Sequence, residues 1–468
     1  MIVVDLGFGD AGKGATVDWL CSPEADLNVA AVVRFNGGAQ AAHNVVAGGR
    51  HHTFAQFGSG TFAEVPTLLS EHVLVEPLAL AAEAERLTRL GVADPLSLLS
   101  VDGRALLATP IHIAANRARE DARGIGRHGS CGMGIGETAA YALHHDAPRV
   151  ADCRRPAVLR RKLRTLATHY RPLLVPSAHD HEPVDALVDA YREFGAAVRI
   201  TGADELRRFA RRGRLVFEGA QGVLLDEWRG FHPHTTWSTV EPRNARAQLA
   251  AIGGRAVTLG VTRAYTTRHG AGPLPTEDPV LRYPEPHNGF GRYQGAFRRG
   301  HLDAVLLRYA VAVCGDVDGL VVNHLDTAVG GRVATGYTTR DGILRTLEPG
   351  AWRDLAHQTA LTEILATAAP VYTEPPADLP GWLQHYLGLP VALTATGPDR
   401  RDRQPGEPLA LLLGAERPAA GSRAGSAQIP AAQADLADTP PPRFPARPGH
   451  GERSRTPPIS AGSSRRRY

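Results

Sequence analysis

The chain opens on a short apolar run, Met1–Val4, closed by Asp5 and followed at once by a glycine-rich stretch. Such a run is too short for a helix and reads as a buried strand; residues 13–20 beyond it carry helical spacing. Val29–Phe35 is a second apolar run of strand length. Helical patterns follow around 75–91, 108–123, 156–170 and 183–195. Val198–Thr201, Leu215–Glu218, Ala256–Val261 and Leu320–His324 read as further buried strands, with 302–314 as the helix before the last of them. Strands that are apolar on both faces and alternate with helices predict an α/β fold, a large and mainly parallel central sheet covered by helices on both sides, with smaller subdomains. No repeat of fixed period interrupts this pattern. Near residue 401 it stops. Residues 403–468 are rich in Pro, Ala, Ser, Gly and Arg and cannot bury enough apolar surface to offset chain entropy. The predicted organisation is therefore a catalytic domain over 1–402 and a disordered tail over 403–468.

Composition changes this picture in three ways. With 43% hydrophobic residues in 468, the chain has material for a large core. Four cysteines lie far apart without a CxxC pair, no apolar run is long enough to span a bilayer, and the first residues have no basic leader; a protein of the cytoplasm is expected. The formal net charge of +4 is mild for this length, and part of it lies in the SSRRRY end, so neither membrane nor nucleic acid is expected as a partner. Of 52 basic residues only Lys13 and Lys162 are lysines. In so arginine-biased a chain, a retained lysine points to a specific use.

Lys13 lies in Leu6-Gly7-Phe8-Gly9-Asp10-Ala11-Gly12-Lys13-Gly14-Ala15-Thr16, between the first strand and the first helix. Gly7, Gly12 and Lys13 have the G-x-x-x-x-G-K spacing of a phosphate loop, in which backbone amides, the helix N-terminus and a lysine converge on phosphate oxygens. Gly14 stands where a Ser or Thr would normally meet magnesium. Asp10 is out of place among phosphates unless it holds a metal ion or removes a proton from a substrate; otherwise it is a turn-forming helix cap.

Several segments together resemble the adenylosuccinate synthetase family. Gly9–Gly14 is similar to its GDEGKGK loop, Arg34–Asn44 to its R-x-x-GG-x-NAGHT segment, and Phe217–Gly222 to FEGAQG. Ala264–Glu277 resembles AYTTRVGxGPFPTE, and Leu302-Asp303, Leu325-Asp326 and Thr396–Arg400 follow in family order, so the resemblance covers about 1–402. It implies a P-loop-like GTP site and a GTP- and Mg²⁺-dependent ligase that phosphorylates the 6-oxo group of IMP or an analogue, then displaces that phosphate with an amine, L-aspartate in the family. Asp10, His43, Lys13 and Gln221 would be catalytic. Asp10 would take the N1 proton, and His43 would donate to the departing phosphate side. Gly9, Gly12, Lys13, Gly14, Asp326, Arg298, Gly397 and Pro398 would bind GTP, Asp326 reading the guanine edge. Gln40, Cys131, Gln221, Thr236, Tyr293 and Gln294 would line the substrate pocket, and Asp10 with the Ala42 carbonyl would hold Mg²⁺. The family also implies a homodimer.

The departures fall in the substrate pockets. Tyr293-Gln294 replace a threonine pair, and Ala296 stands where the family clamps aspartate with an arginine. Losing a bidentate guanidinium removes a strong carboxylate grip. Gln40, Cys131, Met133, His145 and His324 also replace family residues. The pattern leaves open a paralogue with another amine or purine-like acceptor, as in nucleoside-type secondary metabolism, and below it an inactive GTP-binding protein. His179-Asp180-His181-Glu182 reads as a solvated loop rather than a metal site, as do His51-His52 and His144-His145, and no base is matched to Cys131.

Overall fold

The computed structural model describes residues 1–327 and 331–414. Its spine is a ten-stranded sheet. From one edge to the other the strands are Arg403–Pro405, Val391–Ala395, Gly319–Asn323, Thr258–Arg263, Ile2–Asp5, Arg214–Gly222, Val29–Arg34, Thr67–Leu69, Leu99–Asp102 and Arg199–Thr201. Every neighbouring pair is parallel except the first, where Arg403–Pro405 runs antiparallel along the edge.

The central strand shows why its sequence is apolar throughout. Successive side chains of a strand point to opposite faces. Ile2 and Val4 pack on one side with Leu306, Leu307 and Ala310 of the helix Ala304–Cys314. Val3 packs on the other with Val17, Trp19 and Leu20 of the helix Lys13–Cys21. A third cluster fills a mainly helical lobe built from Pro77–Arg89, Pro110–Arg123, Pro156–Leu174 and Val184–Ala197. Lys162, the second lysine, is buried in that lobe, with Nζ 2.9 Å from Asp152 and 2.7 Å from Asp146.

The predicted strands and helices lie within a few residues of where the pattern put them, with instructive differences. The strand expected over Leu215–Glu218 continues to Gly222. The helix expected over 302–314 begins at Ala304, because the Asp303 side chain caps it by accepting from the Leu306 amide at 3.0 Å. The hairpin His43–Ala47/Arg50–Phe54 escaped the pattern; Gly48 and Gly49, at φ 58° and 76°, turn it. The folded part also extends past residue 402. Arg403–Pro405 pairs with Val391–Ala395, and Glu407–Gly414 is a helix whose Leu409 is buried against the sheet. The rest of the expected tail, 415–468, lies outside the described residues. Among the described residues no helix is long and apolar enough to cross a membrane.

Candidate active site

In a parallel sheet, ligands gather at the carboxyl ends of the strands. Five neighbouring strands here end in Asp5, Gly222, Arg34, Arg263 and Asn323, and the glycine-rich loop rises from the middle of them. The loop is tied down from beneath. The Asp5 carboxylate, with no exposed surface, accepts from the amides of Gly7 at 2.8 Å, Gly9 at 3.3 Å and Ala11 at 2.9 Å. It also takes Lys13 Nζ at 3.0 Å, and Lys13 is only 4% exposed.

Two glycines are dictated by close neighbours. Gly12 sits at φ +91°, and a Cβ there would come within 2.6 Å of Asn323 Nδ2, the amide that donates to the Ala11 carbonyl. A Cβ on Gly14 would come within 2.6 Å of the His43 Cβ and 3.0 Å of Ser59 Oγ. The hydroxyl residue of an ordinary phosphate loop is therefore excluded at position 14 by the packing of His43.

His43, on the first strand of the hairpin, is held by a residue the sequence did not single out. Its Nδ1 lies 2.6 Å from Glu218 Oε1, and both side chains are buried. Ser59 donates to the same carboxylate from its amide at 3.0 Å and from its hydroxyl. Burial alone would raise the Glu218 pKa, but the Arg34 charge, His43 and the Ser59 bond outweigh it and hold it at about 2. Burial, with Arg34 nearby, lowers the His43 pKa below its usual value. The resting pair is an ionised Glu218 accepting from the Nδ1 of a neutral imidazole. Glu218 lay inside the FEGAQG segment, and its unbroken apolar flank, Leu215–Phe217, was the signal for a buried carboxylate.

Asp10 is placed differently. Its backbone is left-handed, φ 60°, and its carbonyl accepts from Arg263 at 2.9 Å. Its Oδ2 lies 3.3 Å from His269 Nε2, each side chain being 23% exposed. Burial disfavours the charged carboxylate, yet His269, Arg263 and Lys13 bring its pKa below the ordinary value. Burial would lower the His269 pKa in turn, but Asp10, Asn288 and Glu285 raise it. Glu285 accepts from Asn288 at 3.0 Å and from the Tyr265 hydroxyl at 2.6 Å, and it pairs with Arg263, which closes the network. His269 was the second residue missed; the one cue was a histidine in a segment otherwise similar to the family's.

Gln221, also left-handed at φ 59°, stands at the end of the strand that brings Glu218. The buried amide atoms Gln221 Oε1 and Gln40 Nε2 and Oε1 have no hydrogen-bond partner among the described residues. A Cβ on Gly37 would lie 3.5 Å from Gln221 Oε1 and 3.6 Å from Gln40 Nε2, so the two amides converge over Gly37. The chain at Gly222 packs directly on the Gly7 carbonyl and Gly9 amide, so Gln221 adjoins the Asp10 loop. Unpaired buried amides are costly, and each is a directional donor or acceptor for something placed between them.

The other predicted residues are distributed around this centre. Asp326 is exposed beyond the Gly319–Asn323 strand, and the amide of its neighbour Leu325 bonds to the Ala395 carbonyl at 3.1 Å, ahead of Gly397-Pro398 in the chain. Arg298 grips the Glu277 carboxylate and the Gly270 and Gly272 carbonyls. Tyr293 packs against Gly132, one residue from the half-buried Cys131, with the guanidinium carbons of Arg117, Arg127 and Arg292 5.9, 5.8 and 5.3 Å from its ring. The Gln294 carbonyl closes on Gly129 and Gly270. Thr236 is half-buried, and its amide bonds to the Leu225 carbonyl at 2.8 Å. Ala296 is exposed. His179 pairs with Asp121 at 2.7 Å, and no group of three metal-ligating side chains occurs among the described residues.

Comparison with known proteins follows the same outline. The family profile described as adenylosuccinate synthetase matches residues 2–403. An adenylosuccinate synthetase of Neisseria meningitidis serogroup B is 32% identical over 441 residues, covering 86% of this chain and 97% of the relative. One from Acidithiobacillus ferrooxidans is 34% identical over 437 residues, covering 86% and 97%. Among solved structures, the fully ligated adenylosuccinate synthetase of Plasmodium falciparum superposes with a TM-score of 0.73 at 19% identity, covering 87% of this chain and 99% of that one. The succinoaminodeoxyadenylate synthetase of cyanophage S-2L, bound to dGMP and to dATP as energy donor, gives 0.54 at 16% identity, covering 88% and 97%.

Proposed function

Because the chain belongs to the adenylosuccinate synthetase family of GTP-dependent ligases, we propose that it phosphorylates the 6-oxo group of IMP with GTP and lets the amino group of L-aspartate displace that phosphate. The observation that carries this reading is the convergence of the unpaired Gln40 and Gln221 amides beside Asp10. A 6-oxopurine offers a ring N–H to a carboxylate and a carbonyl to an amide donor, and its phosphate suits the second amide.

Asp10 takes the ring N1 proton, and the electron pair moves onto the 6-oxygen. That oxygen attacks the γ-phosphorus of GTP and GDP leaves. The neutral amine nitrogen then bonds to C6, inorganic phosphate departs with the C–O bonding pair, and the surplus N–H proton leaves with that phosphate. His43, oriented by Glu218, meets the phosphate side with Nε2. As the triphosphate charge approaches, His43 gains a proton and becomes a donor. The amides of Gly12, Lys13 and Gly14 line the phosphate side, that of Gly9 remaining on Asp5, and Asp326 with Gly397 and Pro398 receives the guanine.

The donor set also suits Mg²⁺. One carboxylate on the loop, Asp10, and the carbonyl of the exposed Ala42 would supply hard oxygens to an ion that typically takes most of its ligands from phosphate and water. Its contribution is to shield phosphate charge. A homodimer working in the cytoplasm completes the reading and rests on the family likeness.

A second reading is favoured by the donor pocket. Ala296 carries no charge, Arg298 is spent on Glu277, and the Tyr293 ring lies among three arginines. An amine other than aspartate would suit such a site. Phosphate release from GTP, measured with IMP in the presence and absence of aspartate, decides. Aspartate-dependent turnover supports the first reading, and IMP-dependent release indifferent to aspartate supports the second. Failure of IMP to stimulate release under either condition overturns both.

A further inference from the structure

The glycine-rich loop has the form of an anion cradle, yet its donors already hold an anion. Three of its amides, those of Gly7, Gly9 and Ala11, and its lysine all point at the Asp5 carboxylate, at 2.8, 3.3, 2.9 and 3.0 Å. A carboxylate accepts about four such bonds, so Asp5 is saturated. Both Asp5 and Lys13 are buried, and the lysine charge is cancelled by its neighbour. The donors left facing outward are the first-turn amides of the helix Lys13–Cys21, which have no acceptor within the helix. His43 packs against that same turn at Gly14.

We propose that Asp5 sets the affinity for GTP by acting as a built-in occupant of the cradle: it keeps Lys13 on the inner side of the loop, so the nucleotide is gripped by the outer amides without the lysine charge. The proposal rests on the GTP reading above and deepens it. A fixed negative charge beneath a triphosphate opposes binding, and a free ammonium would favour it. Asp5→Asn keeps one oxygen for the Gly7 and Gly9 amides, removes the charge and releases Lys13.

The test is calorimetric titration with GDP and Mg²⁺ of the wild-type protein, Asp5→Asn, Asp5→Ser and the double variant Asp5→Asn/Lys13→Met, with melting temperature as the control for folding. GDP is expected to bind the Asp5 variants roughly tenfold more tightly than wild type, the gain vanishing in the double variant. Affinity unchanged or weaker in folded Asp5→Asn and Asp5→Ser overturns the proposal. Should the variants fail to fold, a crystal structure of the wild-type GDP complex decides: Lys13 Nζ still on Asp5 supports it, and Nζ moved onto the β-phosphate overturns it. A wild-type protein that binds no GDP overturns the GTP reading and this proposal with it, whereas GDP binding without a gain in the Asp5 variants overturns this proposal alone.

Discussion

Two imidazole–carboxylate pairs flank the loop, and they differ in almost everything but composition. His43–Glu218 is dry: 2.6 Å apart, with side chains 7% and 0% exposed. His269–Asp10 is wetter and looser: 3.3 Å apart, with both side chains 23% exposed. Burial wins for His43, whose pKa falls, while the partner charge wins for His269, whose pKa rises. The same two chemical groups, imidazole and carboxylate, are therefore biased in opposite directions, toward a neutral histidine hydrogen-bonded to a carboxylate in one and toward an ion pair in the other. In the reaction proposed here the first suits a group that gains a proton as phosphate charge arrives. The second suits a carboxylate kept ionised and exposed to a substrate.

The widest separation of the two pairs comes from removing each carboxylate. Asp10→Asn abolishes the base and is expected to lower kcat by about 10³-fold in a steady-state assay of phosphate release. Glu218→Gln leaves His43 in place without its ionised partner. About 10²-fold loss in kcat is expected. It also leaves the charge of the buried Arg34 without its nearby counter-charge, so this variant alone should lose several degrees of melting temperature. Equal losses of activity with equal stability would erase the distinction between the pairs.

The sequence made each of these pairs half legible and hid the pairing of both. Asp10, Lys13, His43 and Gln221 stand in recognisable segments, and the strand–loop–helix around Lys13 is visible from periodicity alone. Glu218 and His269 pair across 175 and 259 positions of sequence with His43 and Asp10, a proximity that only the strand order creates. Lys13 shows a subtler limit. Its spacing marks a phosphate loop, but nothing local says that Asp5, at the end of the strand, would claim the ammonium. The mainly parallel sheet followed from apolar strands buried on both faces, although its short strands Thr67–Leu69 and Leu99–Asp102 and the strand Val391–Ala395 were not read from the pattern, and the His43–Phe54 hairpin, with His51, His52 and Arg50 in it, carried no apolar alternation strong enough to declare itself. The folded edge at 403–414 was missed for a related reason: a Pro- and Arg-rich composition hid one short strand and a Leu409-anchored helix.

The dry pair can be read directly through proton linkage. His43 has a lowered pKa in the free protein and is neutral at pH 7. A bound triphosphate favours its charged form, so GTP binding should take up roughly half to one proton at pH 7, and affinity should rise as pH falls through the window between the free and bound values. Isothermal titration in buffers of different ionisation enthalpy measures that uptake. It should vanish in His43→Asn and persist in His269→Asn, whose imidazole is already paired with Asp10.

A third histidine separates burial from charge. His112 has no exposed surface and no carboxylate; its Nδ1 meets the Thr109 amide at 3.2 Å and hydroxyl at 3.0 Å. Burial, with a smaller push from His169, brings its pKa down to about 3. Its folded pKa lies below the unfolded 6.5, so the unfolded chain binds the extra proton between those values. Stability from this residue is complete above pH 6.5 and is lost as pH falls toward 3. The slope is at most about 1.4 kcal/mol per pH unit. Denaturant unfolding of wild type and His112→Leu at pH 7, 6 and 5 should show the wild type losing stability faster on acidification by up to one proton's worth of slope. Parallel pH curves would mean that burial alone does not hold an imidazole neutral in this fold, and that the low pKa of His43 must then come from Arg34.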